Sequence, residues 1–277
     1  MKHSKGTFRA SGGIDLFFQS WQPEEQPIAS VAIVHGWGEH SERYSNVVEY
    51  LISHGYAVYG FDQRGHGRSP GKRGHINHWE EYRQDLRSFL HIIGEQHPDG
   101  AVFLWGHSLG ALIALDYILC YSEELRGAVI GSSPIEPVGV AKPYLVLLSR
   151  LLSKVWPSFS LDRRLDATLL SRDQEVVQQS KSDPMMHGLC SARWATEVLN
   201  TISRVKAQVT EVSIPVLFLH GEADRVNLAS GTSYLFDSVG IEDKTVRIYP
   251  SMYHELHNDI DHEQVLVDVR NWLGEHL

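Results

Sequence analysis

Residues 101–112, AVFLWGHSLGAL, constrain the fold more than any other stretch of the chain. Ala101 to Trp105 is an unbroken apolar run, short enough for a strand buried on both faces. Ala111 to Leu115 is equally apolar and suits a buried helix. Between them stands Gly106-His107-Ser108-Leu109-Gly110, a G-x-S-x-G turn. Strand, tight turn and helix in that order make a nucleophile elbow. Ser108 stands at its tip with the hydroxyl presented, and glycines at 106 and 110 clear the crowded flanks. The helix that follows aims backbone N–H groups at the place where an oxyanion would form.

The pentapeptide is short, and Gly67-Arg68-Ser69-Pro70-Gly71 also fits it. The residue after the nucleophile must donate its N–H to the oxyanion, and Pro70 has none. No apolar run follows that second match either. Ser108 is therefore the candidate nucleophile and Ser69 is not. The bland alternative for Ser108 is a helix N-cap beside a glycine turn.

A chain of 277 residues is long enough for one large α/β domain, or one domain with an insertion. The formal net charge of −9 speaks against a nucleic-acid partner and against electrostatic docking of the whole chain on anionic lipid. Cys120 and Cys190 build no disulfide framework, so a reducing, cytoplasmic setting is expected. The opening MKHSKGTFRASGG lacks the apolar core of a signal peptide, and no run reaches the ~18 apolar residues of a membrane span. Sixteen histidines raise the question of a metal. His254-Glu255-Leu256-His257 has the wrong spacing for two ligands one turn apart, and no cysteine pairs support zinc. No metal or other cofactor is expected.

Along the chain, Thr7–Arg9 and Ile14–Phe18 read as an opening hairpin. Ser30–His35 is a nearly all-apolar strand ending in His35-Gly36-Trp37-Gly38-Glu39-His40, and the Trp37 N–H is a candidate oxyanion donor beside that of Leu109. A helix over Ser41–Ser53 with Ser41 as N-cap follows, then a strand over Tyr56–Phe61. The Asp62–Ser69 loop reads as scaffold, with Asp62 and Arg64 able to pair. Trp79–His97 is a long helix, and Arg126–Ser132 a strand after the elbow.

The alternation then stops. From Ile135 to about Lys206 no strand-like run is visible. A very apolar helix covers Tyr144–Trp156, with Leu145, Leu148, Leu152, Val155 and Trp156 on one stripe able to cover an acyl slot and Tyr144, Val146, Leu147 and Leu151 widening the apolar surface beyond it, and a second covers Ala192–Val205. The division is a core over 1–133, a helical cap or lid over 134–206, and a second part of the core over 207–277. Strands return at Ile214–His220 and Lys244–Tyr249, with helices over Val226–Val239 and His262–Leu273.

Strands alternating with helices make a mostly parallel sheet, whose site lies beyond the carboxyl ends of its strands. Ser108, Asp224 and His254 each follow such an end, in the order Ser, Asp, His. Ser108 would attack a carbonyl, His254 would move the proton, and Asp224 would fix the imidazole tautomer. Glu222 is the rival acid and His257 the rival base.

Taken with HGWGEHSERY at 35–44, FDQRGHGRSPGKRGHI at 61–76, GHSLGA at 106–111, HGEADRV at 220–226 and YPSMYHELHND at 249–259, the chain resembles the monoacylglycerol lipase and lysophospholipase group of α/β-hydrolases. The resemblance implies an α/β-hydrolase fold with an inserted lid, and serine-ester hydrolysis of a monoacylglycerol or lysophospholipid. It places Ser108, Asp224 and His254 in the triad and the N–H groups of Trp37 and Leu109 in the oxyanion hole. It puts Glu39 and Arg43 near the glycerol end of the substrate, the alternative being a surface ion pair. Ala111 stands where many relatives have glycine, and the insertion matches only from Ser182-Asp183-Pro184 to Arg204-Val205. Two other functions compete: a short-chain esterase or amide hydrolase with the same triad, and a hydrolase-like protein that binds without turnover. The outer apolar side of the Tyr144–Trp156 helix suggests peripheral contact of the cap with a membrane or micelle.

Overall fold

The computed structural model describes residues 1–98, 100–139 and 143–277. Its strands are β1 (Lys2–Arg9), β2 (Asp15–Gln22), β3 (Ser30–Val34), β4 (Ala57–Phe61), β5 (Val102–His107), β6 (Gly127–Gly131), β7 (Ser160–Asp162), β8 (Leu189–Ser191), β9 (Val216–Gly221) and β10 (Lys244–Tyr249). Its α-helices are α1 (Ser45–Ser53), α2 (Glu80–Gln96), α3 (Leu109–Ile118), α4 (Pro143–Val155), α5 (Gln174–Ser182), α6 (Ala192–Gln208), α7 (Ala229–Ser238) and α8 (His262–Glu275).

Eight strands make one sheet in the order β1-β2-β4-β3-β5-β6-β9-β10. The β1–β2 hairpin is antiparallel and joins β4 antiparallel, and every other neighbouring pair is parallel. Side chains alternate across the sheet as the two-residue period requires. In β3, Val31 and Ile33 face a core shared with α1 and α8, whereas Ala32 and Val34 face a core shared with α2, α3 and α7. Helices on both faces explain why β3, β4, β5, β6 and β9 are buried throughout and read as apolar runs. Phe103 in β5 is wholly buried, a side chain whose removal from water is worth about 1.5–3 kcal/mol.

The segment between β6 and β9 carries α4, α5, α6 and the small antiparallel β7–β8 pair. That pair corrects the expectation of a strand-free insertion. Its members are only three residues long, too short for any alternation to show in the sequence. The helix α5 also escaped the sequence reading, because its face is mostly polar and only Val177 and Ser180 are buried.

Three local expectations change. Ser41 does not cap α1: it lies in a 3₁₀ turn, Ser41–Tyr44, and its N–H and hydroxyl both donate to Asp62 Oδ1, at 2.8 and 2.7 Å. Asp62 therefore does not pair with Arg64, which instead binds Asp85 and Glu81 on α2. The α7 helix begins at Ala229 rather than Val226, because the N–H groups of Val226 and Asn227 are held by the Asp224 side chain at 2.7 and 3.1 Å.

Candidate active site

The register of the parallel strands brings the ends of β5, β9 and β10 to one edge of the sheet, where Ser108, Asp224 and His254 emerge. Ser108 holds φ 52° and ψ −117°, in the left-handed region where an ordinary residue is strained. Its N–H donates to Gly131 O at 2.9 Å and its carbonyl accepts from Leu112 N–H at 3.2 Å, which fixes the turn. A Cβ on Gly106 would strike the backbone of Gly110 and Ala111, and one on Gly110 the carbonyl oxygens of Val34 and His35. Glycine at both flanks is thus a steric requirement of the elbow.

A row of hydrogen bonds connects the three side chains. His254 Nε2 lies 3.0 Å from Ser108 Oγ, and His254 Nδ1 lies 2.8 Å from Asp224 Oδ2. Asp224 is buried and also receives the Val226 and Asn227 N–H groups on Oδ1. His220 Nε2 approaches Oδ2 at 3.1 Å, while its Nδ1 meets Thr232 Oγ1 at 2.6 Å. Burial alone would raise the Asp224 pKa, but His254 and His220 outweigh it and hold the carboxyl far below the usual range. Burial lowers the His254 pKa, the Asp224 charge and hydrogen bond raise it, and the net direction is upward from 6.5. Neither Glu222 nor His257 joins this row. Glu222 is exposed to solvent, and His257 stacks on Tyr44 at 4.4 Å with no partner for its Nε2 among the described residues. The Ser69 hydroxyl donates to Asp62 O and accepts the Phe17 N–H at 2.9 Å, a purely structural position.

Neither the N–H of Trp37 nor that of Leu109 has a hydrogen-bond partner among the described residues, and both residues line the cavity at Ser108. The Trp37 indole donates to Leu189 O at 3.1 Å and stacks on Trp194, so the loop is pinned from the insertion side.

Glu39 and Arg43 are buried, not a surface pair. Glu39 Oε1 accepts from Gly36 N–H and from Tyr44 OH at 2.9 Å, and its Oε2 faces Arg43 Nε at 3.3 Å. Arg43 Nη2 donates to both oxygens of Glu255, the residue after His254. Two carboxylates thus share one guanidinium. Burial pushes both carboxyl pKa values up; Arg43 pulls Glu255 below its usual range, while Glu39, further burdened by the Glu255 charge, stays raised. Both carboxylates line the cavity.

That cavity measures about 800 Å³, within the range of small-molecule sites. One wall is apolar, with Val146, Leu148 and Leu152 from α4 and Val198, Leu199 and Ile202 from α6. Val155 and Trp156 do not join this wall: they point outward with Tyr144, Leu147 and Leu151, each more than half exposed. The Leu145 side chain lies outside the described residues.

Several positioning residues were not legible beforehand. Ser132 Oγ donates to His254 O at 2.7 Å, Asn227 Nδ2 donates to Ser132 O at 2.8 Å, and His220 backs Asp224. Each is a polar residue at a strand end or in the loop beyond it, and that position is the only signal the sequence offered.

The Hydrolase_4 family, described as serine aminopeptidase, S33, matches residues 25–261. Among known proteins, the chain is 34% identical over 275 residues to a monoacylglycerol lipase of Mycolicibacterium smegmatis, covering 99% of this chain and 98% of that one. It is 31% identical over 271 residues to the monoglyceride lipase of Homo sapiens, covering 94% and 87%. The crystal structure of the Paleococcus ferrophilus monoacylglycerol lipase superposes with a TM-score of 0.85 at 31% identity, over 100% of both chains. The chain belongs to the Hydrolase_4 family of α/β-hydrolases, within the group that holds the monoacylglycerol lipases.

Proposed function

We propose that this protein is a carboxylic-ester hydrolase of single-chain lipids, with monoacylglycerol as substrate and Ser108, His254 and Asp224 as its triad. The observation that carries this reading is the bonded row Asp224–His254–Ser108 set at an apolar cavity whose polar side presents Glu39 and Glu255. An acyl chain suits the apolar wall. Free hydroxyls of a glycerol suit two carboxylate acceptors. The relatives named for monoacylglycerol support the same substrate class.

In this reading His254 Nε2 takes the Ser108 proton as Oγ bonds to the ester carbon. The N–H groups of Trp37 and Leu109 receive the oxyanion. Collapse expels the glycerol oxygen, which leaves with the proton from His254, and an acyl-serine remains. His254 then takes a proton from water as the hydroxyl attacks. Ser108 departs, recovers that proton, and the fatty acid is released. Asp224 stays ionised throughout and holds the imidazole by Nδ1–H.

Residues 134–206 act as the cap over this site. The outer apolar face of α4 rests on a membrane or micelle, from which a single-chain lipid enters. No helix among the described residues is long and apolar enough to cross a membrane, so the contact is peripheral.

A panel of p-nitrophenyl esters of rising chain length, read beside monooleoylglycerol, tests the reading. Preference for medium and long chains with turnover of monooleoylglycerol is expected. Preference for acetyl or butyryl esters, or none hydrolysed, would overturn it.

A further inference from the structure

Glycines flank Trp37 on both sides, so this stretch of backbone has little restraint of its own. A group that receives an oxyanion must nevertheless keep its aim to within about 0.5 Å. Contacts supply the restraint, and they come from two directions.

The core holds the side before Trp37. His35, the residue after β3, is wholly buried. Its Nε2 accepts the Gln63 N–H at 2.9 Å, so its proton sits on Nδ1, which donates to Gly36 O at 2.8 Å. A trans peptide sets its C=O and N–H on opposite sides. With Gly36 O held on the His35 side, the Trp37 N–H of the same peptide points the other way. A Cβ built on Gly36 would lie 3.3 Å from Ser108 Cβ, which puts this peptide beside the nucleophile.

The insertion holds the side after Trp37. The His187 N–H donates to Gly38 O at 2.9 Å. The Trp37 indole N–H donates to Leu189 O at 3.1 Å, and its ring stacks on Trp194 with centroids 5.4 Å apart and planes 28° apart. Both partners are themselves anchored to the core. The Ser191 N–H donates to Gly74 O at 2.9 Å. His187 Nδ1 accepts the Leu189 N–H at 3.2 Å, which leaves Nε2 to donate to Gly65 O at 3.2 Å. Trp194, in the first turn of α6, is buried and donates its indole N–H to Tyr82 OH on α2 at 3.1 Å. The Trp37 ring thus ends on fixed points.

We infer that the Trp37 side chain is a positioning group for its own backbone N–H: held between Leu189 O and Trp194, the indole makes the insertion set the aim of the oxyanion hole. The inference rests on the ester-hydrolase reading above and deepens it. That reading uses only the backbone N–H of residue 37, which any residue but proline could supply. The clamp belongs to the indole. Aim matters once charge develops on the carbonyl oxygen, so the side chain acts on kcat and not on KM.

The test uses p-nitrophenyl butyrate and the full chain, with active sites counted by fluorophosphonate titration carried to completion. A butyl trifluoromethyl ketone is the second probe. Ser108 Oγ bonds to its carbonyl carbon, the π pair moves to the carbonyl oxygen, and His254 keeps the Ser108 proton, so the adduct carries an oxyanion. For Trp37→Ala, kcat per titrated site is expected to fall at least about tenfold while KM changes less than about twofold. The ketone should bind more weakly by the same factor as kcat/KM falls. Trp37→Phe, which keeps a ring on Trp194 but loses the donor, should lie between the two. Trp194→Ala should lower kcat in the same direction, and adding it to Trp37→Ala should cost less than about twofold more.

Fewer titratable sites or a lower Tm, with kcat per site unchanged, would assign the indole to folding alone and overturn the inference. A raised KM with kcat and ketone affinity unchanged would make the indole a substrate-contact wall and also overturn it. Either result leaves the ester-hydrolase reading intact. A wild type that neither titrates nor hydrolyses the ester fails that reading, and the inference with it.

Discussion

The guanidinium of Arg43 donates to both carboxylate oxygens of Glu255, at 2.8 and 2.6 Å, and so ties the segment after Trp37 to the residue after His254. The same guanidinium touches Glu39, which holds the Gly36 N–H beside the elbow. One buried cation thereby fixes the spacing between the oxyanion side and the base side of the site. Removing it alone strands two buried carboxylates. Arg43→Leu should therefore cost about 3 kcal/mol of stability, and Arg43→Leu with Glu255→Leu clearly less. Denaturant melts of the two variants check this, and equal losses would mean the pair is not coupled.

The pH profile follows from the charges around His254. Asp224, Glu255 and Glu39 all raise its pKa against the lowering effect of burial, and the net value lies above 6.5. The base must be neutral, so kcat/KM should fall on the acid side with a midpoint above 6.5. Glu255→Gln removes one negative neighbour, lowers the His254 pKa, and should move that midpoint to lower pH. A merely structural role for Glu255 leaves the midpoint in place.

The two acidic candidates separate cleanly. Asp224→Asn should lower kcat by ~10⁴, since it leaves the wrong imidazole tautomer facing Ser108. Glu222→Gln, at an exposed position, should change kcat less than about twofold. Steady-state rates on one soluble ester decide the matter, and a reversed order would identify Glu222 as the acid.

Much of this was readable in the chain because strand ends are punctuated. An apolar run followed by a glycine or acidic turn marks the edge of the sheet, and Ser108 and Asp224 stand at such marks, whereas His254 follows the mixed strand β10 and a Pro250-Ser251 turn. What stayed hidden was pairing at long range. Nothing in the sequence says that Arg43 meets Glu255 rather than solvent, or that Asp62 turns to Ser41 instead of Arg64, because charge pairing depends on the packed geometry. The inner face of α4 was partly misread for a related reason. A helix apolar nearly all round has no single stripe, so spacing alone did not show that Val146 turns in while Val155 and Trp156 turn out.

That outer face gives a prediction of its own. Leu147 and Leu151 are 70% and 58% exposed, on a helix whose inner residues line the cavity. Leu147→Asp with Leu151→Asp should lower turnover of vesicle-borne monooleoylglycerol several-fold and leave a soluble short-chain ester nearly unchanged. Equal loss on both substrates, or a shift from dimer to monomer on a sizing column, would assign the face to packing.

The central claim is that Ser108 forms the acyl-enzyme, and labelling by a fluorophosphonate followed by peptide mapping tests it most directly. Wild type is expected to take up one equivalent at Ser108 and lose monoacylglycerol hydrolysis in step. Ser108→Ala should neither label nor turn over, with at least ~10⁴ lost in kcat, while Ser69→Ala labels and hydrolyses like wild type. Stoichiometric labelling of Ser108→Ala, at Ser69 or elsewhere, would contradict it.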